Sequence, residues 1–115
     1  MDCILRVGGE KFNRDLFLKT SKWSVDISQR KGNTTSFNML ISSKKHFKDQ
    51  LDESLCFLKN NADKLLLISQ MGGDIELDFG ITLEDEQFCK NCRINVVVME
   101  LAVKLGIEIN ISIYQ

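Results

Sequence analysis

The alternation of Ile107, Ile109, Ile111 and Ile113 with Glu108, Asn110, Ser112 and Tyr114 constrains this chain more than any other feature. Every position from 107 to 114 fits a period of two, and isoleucine suits a pleated, half-buried surface, so the segment predicts a strand with one apolar and one wet face. Such a strand needs a layer to cover its isoleucines, while its other side stays in water. The same pattern recurs in Asp74-Ile75-Glu76-Leu77-Asp78-Phe79-Gly80-Ile81, punctuated at its start by Gly72-Gly73. It recurs again in Trp23-Ser24-Val25-Asp26-Ile27-Ser28. Lys31-Gly32-Asn33 then supplies turn chemistry before Phe37-Asn38-Met39-Leu40-Ile41, which predicts a hairpin with a long loop. Cys3 to Val7 reads as a further strand.

Helical periodicity fills the intervals. Phe47, Leu51, Leu55 and Leu58 share one helical face, with Ser43 as the expected N-cap and Asn60-Asn61 as the break. A shorter helix is expected from Ala62 to about Gln70, with Leu65 and Leu66 turned inward. Ile94, Val98, Leu101 and Leu105 form a third stripe, and Gly106 stands where a helix C-terminus favours glycine. Phe12 to Lys19 reads as a brief helix or an irregular connection. Parallel sheets covered on both faces show continuous apolar runs, which these strands lack. The expected fold is therefore a two-layer α+β domain: a mainly antiparallel sheet of four to five strands with helices packed on one face. At 115 residues without repeats or linkers, a single domain spanning 1–115 is expected.

Composition closes several routes to function. Fifteen basic residues face sixteen acidic ones, for a net charge of −1. No bulk charge exists to drive nucleic-acid or anionic-membrane binding. Apolar runs such as Leu65 to Ile68 and Val96 to Met99, four residues each, fall far short of the ~20 residues of a spanning helix. Met1-Asp2-Cys3-Ile4-Leu5-Arg6 lacks the basic start and apolar stretch of a secretory signal. With no export signal, the four cysteines are expected to be reduced thiols in the cytoplasm.

Cys89-Lys90-Asn91-Cys92 is the one motif with chemical promise, since the following helix N-terminus would favour a thiolate. A thioredoxin-like site also requires a βαβ setting and a cis-proline, and this chain contains no proline. A zinc site requires four ligands, and Cys3, Cys56 and His46 would have to converge from distant segments. Structural thiols are the simpler reading, and neither metal nor cofactor is expected. His46 sits among Lys44, Lys45 and Lys48, without a nucleophile signature anywhere in the chain. Gly8-Gly9 and Gly72-Gly73 lack the context of phosphate-binding loops and read as turns. Glu84-Asp85-Glu86 reads as a solvated loop.

The strand pattern carries a collective signal instead. With the apolar positions turned toward helices, the open face displays Asp26, Asp74, Glu76, Asp78 and Glu108, with Tyr114 at its end and Lys22 as the only nearby base of matching parity. A face of this kind suits a basic protein partner, where charge sets encounter rate and specificity.

Gly9-Glu10-Lys11-Phe12, Arg30-Lys31-Gly32, the helix ending in Phe57-Leu58, Leu77-Asp78-Phe79-Gly80-Ile81 and the ending Leu105 to Tyr114 together invite a family comparison. In these segments the chain resembles a group of small, mostly bacterial proteins classed as a domain of unknown function, number four-two-seven-nine in that series. The resemblance spans almost the whole chain and implies an α+β bacterial domain. It supplies no activity and no catalytic residues, and the cysteine pair lies outside its pattern. The leading expectation is a non-enzymatic interaction module of the immunity or inhibitor type that uses the acidic sheet face. The alternative is a small-ligand or regulatory module with a pocket between sheet and helices, near Trp23, Phe37 or Tyr114. A redox enzyme built on Cys89 and Cys92 comes third. The final strand, as an exposed edge, could pair with a second copy, so the state expected is a monomer or a strand-paired homodimer.

Overall fold

A computed structural model of the chain describes residues 2–27, 35–82 and 92–114. Its elements run β1 (Cys3–Gly8), α1 (Arg14–Ser21), β2 (Phe37–Ser42), α2 (Phe47–Asn60), α3 (Ala62–Gln70), β3 (Asp74–Thr82), α4 (Val96–Leu105) and β4 (Ile107–Tyr114). The strands form one sheet in the order β2-β1-β3-β4. β1 pairs antiparallel with β2 and β3, while β3 and β4 run parallel through the α4 crossover. The fold is the expected α+β arrangement with helices against the sheet. Its parallel pair keeps a polar outer face, because one layer of helices covers only the isoleucine side.

Local chemistry explains most boundaries. Gly9 takes φ 127°, and a Cβ there would stand 3.0 Å from the Gly72 carbonyl oxygen, so the turn after β1 requires glycine. Asn13 caps α1 by accepting from the Leu16 N–H at 3.0 Å, and Asn95 caps α4 by accepting from the Val98 N–H at 2.9 Å. Gly106 ends α4 in the left-handed region, as its position predicted.

Three local expectations are corrected. α2 starts at Phe47 with His46 at its N-cap, not at Ser43. The Lys44 N–H instead donates to Ser42 Oγ at 3.1 Å, and Gln50 Nε2 donates to the Lys44 carbonyl at 2.9 Å, which holds this stretch as a connector. Leu66 is exposed, and Leu65 and Ile68 supply the buried face of α3. The hairpin expected between 23–28 and 37–41 contracts to a single antiparallel bridge between Asp26 and Asn38, with reciprocal N–H···O bonds of 2.7 and 2.8 Å. Residues 28–34, which carry Lys31-Gly32-Asn33, lie outside the described residues.

The core fills the layer between sheet and helices. Cys3, Leu5 and Val7 of β1 and Ile75, Leu77, Phe79 and Ile81 of β3 meet Leu51, Leu58, Leu65, Ile68, Val98 and Leu105 from the helices. Phe12, Phe17 and Phe37 are fully buried against one another, and Trp23 meets Phe17 edge-on at 5.3 Å between centroids. Phe47 and Phe79 form a second edge-on pair at 5.2 Å.

Candidate functional site

Strand register decides what the open face presents. Arg6 stands opposite Asn38 on one side and Glu76 on the other, and Glu76 in turn stands beside Glu108. The Asp26–Asn38 bridge extends this line to Asp26. One row across the sheet therefore reads Asp26, Asn38, Arg6, Glu76, Glu108. The next row reads Leu40, Ile4, Asp78, Asn110. Asp74 lies at one end of the face opposite Gly8, and Tyr114 lies at the other beside Thr82. All six residues expected on the acidic face share it by register.

Their environments differ. Asp26, Asp74, Glu108 and Tyr114 are exposed, and Glu76 is half-buried. Asp78 is buried, and its carboxylate is engaged on both oxygens. Arg6 Nη2 donates to Oδ2 at 3.2 Å, while Asn110 Nδ2 and Ser112 Oγ donate to Oδ1 at 3.1 and 2.7 Å. Asp78 thus organises the face from within, and it is not a displayed acid.

Arg6 is the residue of this face that sequence reasoning passed over. Cys3, Leu5 and Val7 alternate with Ile4 and Arg6, so parity along β1 places a guanidinium among the acids. Lys22, expected as the face's only base, is instead the left-handed C-cap of α1 at φ 60°. The Arg6 charge is directed to Asp78, and no ion pair joins Asp26, Asp74, Glu76 or Glu108 to a base among the described residues. Glu76 and Glu108 are direct neighbours on adjacent strands, an arrangement that opposes folding by like-charge repulsion.

These groups border a shallow cleft of about 290 Å³, lined by Arg6, Gly8, Gly9, Ser36, Asn38, Asp74, Glu76 and Glu108 among others. The close turn at Gly9 and the missing side chain of Gly8 leave its end open. A second depression, about 440 Å³, runs along β2 and carries one base and one acid, Lys44 and Glu53. Its mixed charge gives it less chemical direction than the acidic cleft.

The cysteines do not assemble a centre among the described residues. Cys3 is completely buried, and burial pushes its thiol up to about 12, with the Asp78 and Glu53 carboxylates adding to the effect. A thiol held that high is a poor nucleophile. Cys56 is exposed on α2, and Cys92 is half-buried ahead of α4. Cys89, Lys90 and Asn91 lie outside the described residues, as do Glu84, Asp85 and Glu86. Among the described residues, no group of three or more His, Cys, Asp or Glu side chains is placed to hold a metal ion. No helix among them is long and apolar enough to cross a membrane. Of the aromatic residues expected beside a ligand pocket, Phe37 is buried in the aromatic core, Trp23 packs on Phe17 and Phe57, and Tyr114 stands exposed at the end of β4.

Comparison with protein-family models, with curated proteins and with solved structures finds no match for this chain.

Proposed function

We propose that this chain is a non-enzymatic binding module whose open sheet face receives a basic segment of a partner protein. The observation that carries the reading is the Glu76–Glu108 neighbour pair on the wall of the cleft. Two glutamates side by side on adjacent strands, with the neighbouring Arg6 paired to Asp78 and no ion pair of their own among the described residues, raise the free energy of the isolated protein. A lysine or arginine entering between them relieves that repulsion and makes charge-assisted hydrogen bonds. Asp74 and Asp26 extend the negative field along the same face, which favours fast, salt-sensitive encounter.

A small domain whose acidic face covers the basic surface of another protein fits the immunity or inhibitor type, and the cytoplasm is the compartment we propose for it. The resemblance to a bacterial domain of unknown function supplies no activity that competes with this reading. A small-ligand module receives less support, because aromatic and aliphatic side chains pack the layer between sheet and helices.

The test joins capture to footprinting. A partner is cross-linked to the native protein in extract of its own cells, and the contact is mapped by protection of amide protons. Asp74→Lys, Glu76→Lys and Glu108→Lys combined should abolish capture while the far-UV circular dichroism stays native. Binding should also weaken steeply with salt. A footprint on the helical face, or capture indifferent to the triple reversal, would refute the proposal.

A further inference from the structure

We propose that β4 is the interface of a two-fold dimer of this chain, paired antiparallel with its own copy about Ile111. The inference does not rest on the basic-partner reading, because it is argued from the backbone edge of β4; Glu108 is the one residue of that strand that it shares with the cleft. Its starting point is an asymmetry between the sheet's two edges. β2 is engaged on its outer side at Asn38 by the Asp26 bridge, whereas nothing among the described residues pairs with the outer side of β4. Proteins protect such edges with lysine, proline, bulges or very short strands. β4 has none of these: it runs eight residues in unbroken register with β3, and Glu108 is its one charged residue.

Coverage of β4 by its own helix is also incomplete. α4 has ten residues and reaches about 15 Å, while β4 has eight and reaches about 26 Å. The isoleucine row grows more exposed toward the strand's end, from 7 % at Ile107 to 60 % at Ile113. α4 in turn carries a second apolar stripe, Val96, Met99 and Val103, turned away from the buried Val98, Ala102 and Leu105; Val103 is 83 % exposed.

The sequence of β4 is complementary to itself in one register. Opposed residues of an antiparallel pair share a face, so the two-fold axis must pass through a residue. About Ile111, each Ile113 meets the partner's Ile109, each Asn110 meets the partner's Ser112, and each Glu108 meets the partner's Tyr114. No like charges are opposed. The uncovered end of each strand lies beside the helix-covered part of the other, and the Tyr114 hydroxyl faces a carboxylate that it can donate to. Pairing about Asn110 instead would leave Tyr114 opposite the partner's Gly106. The Ile111 axis also brings the two α4 helices side by side over the doubled sheet, which shelters the Val96, Met99 and Val103 stripes. The occupant is therefore a second copy, not an extended peptide from another protein.

Sedimentation velocity on the full chain, from micromolar to several hundred micromolar, tests the proposal. The expected result is a reversible dimer. Tyr114→Glu sets a glutamate against the partner's Glu108 twice per dimer and should raise the dissociation constant roughly tenfold. Adding Glu108→Lys to Tyr114→Glu restores opposite charges across the axis and should return most of that loss. Val103→Lys, at an exposed position far from the strand, should weaken the dimer without touching the fold. A monomer at every concentration would overturn the proposal, and so would a dimer insensitive to both Tyr114→Glu and Val103→Lys. A dimer weakened by Tyr114→Glu but not rescued by the double change would overturn the Ile111 register.

Discussion

Asp78→Ala tests whether the buried carboxylate is what organises the open face. The substitution removes three hydrogen bonds: one charge-assisted bond from Arg6 at 3.2 Å, one from Asn110 at 3.1 Å and one from Ser112 at 2.7 Å. Breaking a fully buried ion pair from one side costs about 3–5 kcal/mol. Here the Asp78 side chain is 8 % exposed but that of Arg6 is 39 % exposed, so water can solvate the orphaned guanidinium. Asn110 is also exposed. The expected loss is therefore lower, about 2–3 kcal/mol, close to one net kcal/mol per bond. Asp78→Asn keeps one acceptor for Asn110 and Ser112 but turns an amide N–H toward Arg6, and should cost about 1–2 kcal/mol. Trp23, the only tryptophan, packs on Phe17 and reports unfolding by fluorescence in urea. A double-mutant cycle with Arg6→Met should show a coupling of about 1 kcal/mol. A destabilisation by Asp78→Ala below about 0.5 kcal/mol, or a coupling of zero, would refute the role assigned to this carboxylate.

Three further perturbations follow from other parts of the structure. The Cys3 thiol ordinarily ionises near 9.0 and is pushed up to about 12 in the folded protein, so the unfolded chain loses its proton first as pH rises. The stability it contributes is intact below about pH 9 and fades toward pH 12; at about pH 10 the loss is ~1.4 kcal/mol, read as a slope in urea midpoints that Cys3→Ala abolishes. Gly73→Ala would set a Cβ 2.6 Å from Ile68 Cγ2 and 3.0 Å from Phe12 Cδ1, so overpacking should cost about 1–3 kcal/mol in the same unfolding assay. Glu108→Gln removes the repulsion with Glu76 and should stabilise the protein by about 0.5 kcal/mol while weakening partner capture; a destabilised variant with unchanged capture would contradict the proposed site.

The parts of the fold that were legible in the sequence are those where one element's own periodicity decides the outcome. β3, β4, α3 and the end of α4 at Gly106 belong to this class, because alternation, helical spacing and a left-handed glycine are local facts. The start of α2 was not legible, because Ser42 and Gln50 settle the connector through bonds that span several residues and reach Lys44. The Trp23 to Ile27 segment alternates like a strand yet forms one bridge, since Trp23 and Val25 are drawn onto the aromatic core and Asp26 alone reaches β2. At the site, parity correctly gathered six residues on one face. Parity says nothing of depth, so it did not separate Asp78, sealed beneath Arg6, Asn110 and Ser112, from the exposed acids around it. Arg6 was missed for a different reason: a face belongs to the whole sheet, and its charge is known only when every strand, including the short β1, is counted.

Glu108 joins the two surfaces proposed here. Its carboxylate borders the cleft beside Glu76 and faces the partner's Tyr114 across the axis, while the backbone on either side of it offers the outer edge of β4 to a second copy. Pairing about Ile111 would continue the sheet across the two-fold axis and set two acidic clefts on one doubled face, a bivalent surface for a basic partner. Linking two modest sites in this way raises overall avidity by 10²–10⁴ when both can engage at once. Val103→Lys, which lies on the helical side, should then weaken partner capture without altering any residue of the cleft, and the deficit should vanish at protein concentrations high enough to restore the dimer. Capture that is indifferent to Val103→Lys at all concentrations would show that each cleft acts alone.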